Sequence, residues 1–79
     1  MTTRTAKPLS YYLGLRYSFK VVAQEEGGYF IIFPDLPGCM TQIETLDELV
    51  AAVNEIRTLW IETEYERGAD IPEPTYAHA

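Results

Sequence analysis

One cysteine and one histidine, Cys39 and His78, are the chain's entire stock of thiol and imidazole. A nucleophilic thiolate draws its reactivity from a neighbouring base or cation. No histidine stands near Cys39 in sequence, so Cys39 reads as a small buried hydrophobe. His78 is second from the end and has no patterned neighbour. One cysteine and one histidine also fall short of the roughly four ligands that zinc takes at defined spacing, and a single cysteine excludes an internal disulfide. The carboxylates are more numerous. A metal-dependent nuclease needs several of them converging on its ions, yet the apolar runs that read as strands carry none in their interiors. Asp35 sits between two prolines, and Glu44, Asp47 and Glu48 stand where a helix begins and capping explains them. The loop 34–38 holds one glycine and no basic residue, a poor phosphate cradle. The prediction is no catalytic residue, no cofactor and no metal site.

The elements that would carry these residues follow from local pattern. Residues 1–8 are polar, end in Pro8 and read as a flexible arm; residues 9–15 allow one short helical turn. Residues 17–24 alternate, with Tyr17, Phe19, Val21 and Ala23 on one face, the period of a half-buried strand. Glu25, Glu26, Gly27 and Gly28 make a turn, and residues 29–33 are five apolar strand formers, expected to be covered on both faces. Pro34 and Pro37 make a rigid corner that presents Asp35 and Leu36. Residues 39–43 make a third strand. Thr45 and Glu48 have the spacing of a capping box. Leu46, Leu49, Val50, Val53, Ile56 and Trp60 recur at helical spacing, and Arg67 and Gly68 close the helix. Leu59 and Ile61 fall at the edge of that stripe. Trp60 is expected to pack over Phe19, Val21 and Ile31. The prolines after Gly68 keep the tail extended. The expected fold class is α+β: a small antiparallel sheet of three to four strands with one long helix on one face. Residues 9–76 form its single domain and 77–79 a tail.

Seventy-nine residues allow one small domain whose core is modest. With neither a disulfide nor a metal, assembly is the remaining support, and a homo-oligomer, most simply a dimer, is expected. Six Lys and Arg against twelve Asp and Glu give a net charge of −6. Such a surface repels phosphate backbones and favours a basic partner. No apolar run reaches the ~20 residues of a membrane span, and the N-terminus lacks the apolar core of a signal peptide. A cytoplasmic protein with a free thiol is expected.

Several motifs together resemble the HicB antitoxin family: Gly28-Tyr29, the run from Phe33 through Pro34, Asp35, Leu36, Pro37 and Gly38 to Cys39, Thr41, the stretch Thr45-Leu46-Asp47-Glu48, and Ile71-Pro72-Glu73-Pro74. Tyr12 to Leu15 followed by Tyr17 resembles the lead-in of short HicB-like proteins. The resemblance covers roughly residues 11–74. It implies a partial RNase H-like fold without nuclease activity, and an antitoxin that binds and blocks a small basic HicA-like ribonuclease toxin. Many relatives add a C-terminal DNA-binding domain; only residues 69–79 follow the helix here, so operator binding by this chain alone is not expected. Ile43 and Leu49 replace a glycine and an alanine common in the family, and the loop geometry and helix seating are expected to shift. Expected partner-binding residues are Glu25, Glu26, Tyr29, Asp35 and Leu36. The helix acids Glu55, Glu62, Glu64 and Glu66 read as a solvated face that also steers a basic partner. Leu59, Ile61 and Tyr65 are either scattered surface residues or part of a dimer or toxin contact. The rival reading is a vestigial nuclease-fold or small-molecule-binding domain that acts without a toxin.

Overall fold

Alternating β-formers on either side of a glycine turn pair as a hairpin, and the proline corner returns the chain for a third strand. A computed structural model describes residues 7–75 of the chain. Residues 1–6 of the expected arm, Tyr76, and the 77–79 tail with His78 lie outside the described residues. A short helix α1 (Leu9–Leu13) precedes strands β1 (Lys20–Ala23), β2 (Tyr29–Ile32) and β3 (Met40–Ile43); a 3-10 turn, Leu46–Glu48, then leads into the long helix α2 (Leu49–Glu66). The sheet is antiparallel in the order β1-β2-β3. The α+β architecture expected from the element order is the one observed.

Register assigns the two faces. Val21, Ile31 and Thr41 are aligned across the sheet, as are Ala23, Tyr29 and Ile43. These rows face α2 and supply the buried Ile31 and Ile43. The alternate rows, Lys20-Ile32-Met40 and Val22-Phe30-Gln42, face the other way. Among the described residues nothing covers that second face, and Val22 and Met40 are exposed on it. The expectation that β2 is covered on both faces is therefore corrected: one helix covers one face, and Phe30 and Ile32 are only half-buried. β1 is shorter than the alternation predicted. Tyr17 lies before it, buried, with its hydroxyl donating to the Pro72 carbonyl. Phe19 leaves the core at the sheet edge but keeps a tilted ring contact of 5.5 Å with Phe33.

Three details of α2 also differ. Thr45 makes no side-chain cap, and Glu48 accepts from the Glu44 N–H at 3.0 Å instead of reaching Thr45. The first turn is 3-10, which moves the Glu48 carboxylate onto the end of β3 and dissolves the capping box. The inward face is also rotated. Ile61 is fully buried, whereas Val50 is 72% exposed and Leu46 lies open. α2 packs against β3 and α1, so its buried arc turns toward Tyr12, Tyr17 and Ile71 as well as toward the sheet. Trp60 is half-buried, packs against the core that includes Ile31, and sends its indole Nε1–H to the Pro37 carbonyl at 2.9 Å, a tie to the proline corner that the helical spacing did not predict. The closing turn follows the expectation. Gly68 N–H bonds the Tyr65 carbonyl and Ala69 N–H the Glu64 carbonyl, both at 3.0 Å, the paired bonds of a Schellman ending. Ile43 has ordinary strand backbone and Leu49 packs on the core, so both family departures fit this fold.

Candidate functional site

The hairpin turn positions the first part of the site. Gln24 N–H bonds the Gly28 carbonyl at 2.9 Å, and Gly27 N–H returns to the Gln24 carbonyl at 3.0 Å. Gly28 has φ +83° and lies so close to β3 that a Cβ there would stand 2.8 Å from the Ile43 carbonyl oxygen. Only glycine combines that backbone with that approach. The turn is thus pressed against the end of β3, and Glu26 is brought beside Glu44.

From this point hollows run round the molecule. One of about 410 Å³ lies between Glu26, Gly28 and Glu44. A second, about 430 Å³, lies between the outer edge of β3 and α2; its floor includes Ala51, Ala52 and Ile56, and Glu48 and Glu55 stand beside it. A third, about 510 Å³, continues along α2 past Leu59 to Glu62. Gln42 and Ile43 line both the first and the second, and Ala51, Glu55 and Leu59 line both the second and the third. Five glutamates therefore border these three adjoining hollows, and among the described residues no Lys or Arg lines them.

The proline corner is built differently. Leu36 N–H bonds the Phe33 carbonyl at 3.1 Å, Cys39 N–H the Leu36 carbonyl at 2.9 Å, and Phe33 N–H the Cys39 carbonyl at 3.0 Å. These consecutive turns point the Leu36 side chain inward, where it is 0% exposed. Leu36 does not protrude as expected, because burying it completes the core beneath the corner. Asp35 is half-buried and its carboxylate accepts the Thr75 N–H at 2.8 Å. Tail and helix together clamp this corner. The five residues expected to bind a partner do not form one surface: Glu25, Glu26 and Tyr29 lie at one end of β2, and Asp35 and Leu36 at the other. Glu26 borders the first hollow. Glu25 is exposed on the same turn, and Tyr29 is half-buried against the core. The groove beside Ala51 and Leu59 was missed from sequence. Its signal was present, since Glu48, Glu55 and Glu62 stand seven residues apart and so share one helix face.

Cys39 is buried, and its Sγ–H points to the Ile56 carbonyl at 3.7 Å. Burial pushes the thiol up to about 11 from its ordinary 9.0, against the opposing charge of Arg57. It is a protonated core residue at neutral pH, as its isolation in the sequence indicated. Arg57 is occupied elsewhere, donating to the Leu13 carbonyl at the end of α1 at 2.8 Å. Among the described residues no three His, Cys, Asp or Glu side chains converge as donors for a metal ion.

A family model described as the HicB-like antitoxin of bacterial toxin–antitoxin systems matches residues 17–79, from just before β1 to the end of the chain. The chain belongs to the HicB-like antitoxin family. Among individual relatives, an Antitoxin HicB 1 of Photorhabdus laumondii is 35% identical over 60 residues, covering 76% of this chain and 39% of that protein. A UPF0150 protein of Archaeoglobus fulgidus is 44% identical over 43 residues, covering 53% of this chain and 62% of that one. A UPF0150 protein of Synechocystis is 31% identical over 58 residues, covering 73% and 80%. The matches with the first two relatives thus span less than two thirds of those proteins. In this HicB-like chain the hairpin glycine lies against the end of β3, the proline corner is tied to α2 through Trp60, and the helix start is tied to β3 through Glu48. No helix among the described residues is long and apolar enough to cross a membrane.

Proposed function

We propose that this chain is the antitoxin of a HicA/HicB-type type II toxin–antitoxin pair, neutralising a small basic ribonuclease toxin by direct protein binding. The observation that carries the reading is the run of adjoining hollows bordered by Glu26, Glu44, Glu48, Glu55 and Glu62, with no cation in their lining among the described residues. A ribonuclease must present cationic side chains to hold a phosphate backbone. A polyanionic protein surface competes for those side chains and, once docked, excludes RNA from them. Net charge −6 accelerates the encounter by electrostatic steering. Neutralisation of this kind needs no chemistry from the antitoxin, so the chain acts as a binding protein and not as an enzyme. It works in the cytoplasm, without cofactor or membrane, and its negative charge leaves it without direct nucleic-acid affinity of its own. The acting unit is the single HicB-like domain of residues 9–76.

A second copy of the chain is the other partner. Val22, Phe30, Ile32 and Met40 present an apolar surface on the uncovered side of the sheet. Two such sheets stack at about 10 Å to bury it, and a small domain gains the core it otherwise lacks.

Co-expression of the chain with the open reading frame beside it tests the toxin reading. The expected result is a small basic protein that arrests growth when expressed alone and co-purifies with this chain, which restores growth. A neighbour that is neither toxic nor retained overturns it.

A further inference from the structure

The outer edge of β3 is an unpaired strand lying beside an apolar groove, and its hydrogen-bond phase can be read directly. Phe33 N–H bonds the Cys39 carbonyl. In an antiparallel ladder bonded pairs alternate with non-bonded pairs. Thr41 and Ile43 therefore bond inward to Ile31 and Tyr29, while Met40 and Gln42 aim N–H and C=O away from β2. The next outward N–H, that of Glu44, is taken by the Glu48 carboxylate, which agrees with this phase and closes the edge at that end. Among the described residues nothing pairs with the outward groups of Met40 and Gln42. The space that a fourth strand would enter is the hollow between this edge and α2, kept open by Ala51 and Ala52 where longer side chains would fill it.

We propose that the β3 edge of this chain accepts an extended, Lys- and Arg-bearing segment of its protein partner as a fourth strand, whose helix-facing side chains are apolar where they enter the Ala51–Leu59 groove and cationic where they meet Glu48, Glu55 and Glu62. Main-chain bonds to Met40 and Gln42 supply the pairing, and the groove reads every second side chain. The charge of the occupant follows from the border: these three carboxylates have no ion-pair partner among the described residues, whose ion pairs are Lys7 with Glu73 and Arg67 with Glu64. The apolar part follows from Leu59, which is exposed beside the small alanines. The inference rests on the antitoxin reading for the existence of a basic partner and adds the surface and the mode of docking. It leaves the uncovered sheet face free for a second copy.

The test uses the full chain, labelled with ¹⁵N, and a synthetic peptide in which lysine and valine alternate at every second position with threonine between them, so that both kinds of side chain share the helix-facing side. Controls are the corresponding glutamate–valine peptide and a lysine–valine peptide with a central proline. At millimolar lysine–valine peptide, the amide signals of Met40 and Gln42 are expected to shift and their hydrogen exchange to slow at least tenfold. Neither control is expected to do this, and Ala51→Arg, a change at an exposed helix position, is expected to abolish the effect while leaving the rest of the spectrum intact. Absence of binding overturns the inference. So does equal binding of the glutamate–valine peptide, a response confined to the Val22–Phe30 face, or exchange protection at Met40 and Gln42 that appears with rising protein concentration alone and so reports edge pairing of two copies. Co-purification of the neighbouring basic protein, scored separately for the unsubstituted chain and for Ala51→Arg, separates the two readings. Retention by both chains overturns the docking mode and upholds the antitoxin; loss with the unsubstituted chain overturns the antitoxin, and the peptide result still decides the edge.

Discussion

Replacing Gly28 with alanine tests how the hairpin turn is held against β3. Two costs are separable at this position. The backbone has φ +83°, where an L side chain costs roughly 1–2 kcal/mol. The new Cβ also meets the Ile43 carbonyl oxygen at 2.8 Å, whereas ordinary contact begins at 3.4 Å, and the obstructing atom is backbone with no rotamer to yield. Moving the end of a paired strand to make room resembles overpacking a core, which costs typically about 1–3 kcal/mol. Gly28→Ala should therefore cost roughly 2–5 kcal/mol, a large share of the roughly 4–12 kcal/mol expected of a domain this size. Gly27→Ala is the internal control. Gly27 has φ +113° but nothing within 4 Å of its added Cβ, so it carries the backbone cost alone. Urea unfolding followed by Trp60 fluorescence should place both midpoints below that of the unsubstituted chain, with Gly28→Ala the lower by a further ~1–3 kcal/mol. Equal losses for the two substitutions would refute the close approach of turn and strand.

The orientation of α2 predicts that Ile61→Ala, at a fully buried site, costs about 2–5 kcal/mol, and that Val50→Ala, 72% exposed, changes stability by less than ~0.5 kcal/mol; thermal melts of the two variants decide it, and equal shifts would reverse the assignment. Burial holds Cys39 protonated up to about 11 and Tyr17 up to about 12, from ordinary values of 9.0 and 10.0. Between those limits the unfolded chain loses protons that the folded chain keeps, so stability is full below pH 9 and declines as pH rises through 9 to 12. Urea midpoints that stay constant from pH 8 to pH 11 would contradict it. The same burial should leave Cys39 unreactive toward a thiol reagent at pH 8 until urea unfolds the chain. Charge reversal at the turn, Glu25→Lys with Glu26→Lys, should slow association with the basic partner, more at low salt than at high salt, and leave dissociation nearly unchanged; surface plasmon resonance at two salt concentrations measures it, and association indifferent to the reversal would remove the steering role.

Much of the fold was legible because it is written in local spacing. The alternation from Tyr17, the paired glycines and the apolar run from Tyr29 specify a hairpin without reference to anything distant. The error over the inward face of α2 has a physical origin. Apolar residues cover most of the circumference of α2, from Leu49, Val50 and Val53 to Leu59, Trp60 and Ile61, so periodicity specifies a helix but leaves open which arc faces inward. The packing of α1 and of the tail around Ile71 makes that choice and buries Ile61 in place of Val50. Leu36 misled for a related reason. A residue between two prolines is in a loop, but whether its side chain points out depends on the turn bonds of Phe33 and Cys39, and these close over the core.

The amino-acid order alone determined the sequence of strands and helix, the rigid corner, the acidic balance and the family motifs, because each depends on neighbours a few residues apart or on composition. The proposed docking surface depends on residues far apart in the chain. Gly28 meets Ile43, Trp60 meets Pro37, Asp35 meets Thr75, and the edge of β3 lies along Ala51 and Leu59. No period in the chain encodes those meetings; they arise when the helix settles over one face of a three-stranded sheet, and that packing leaves one strand edge and a row of glutamates on the same side of the molecule.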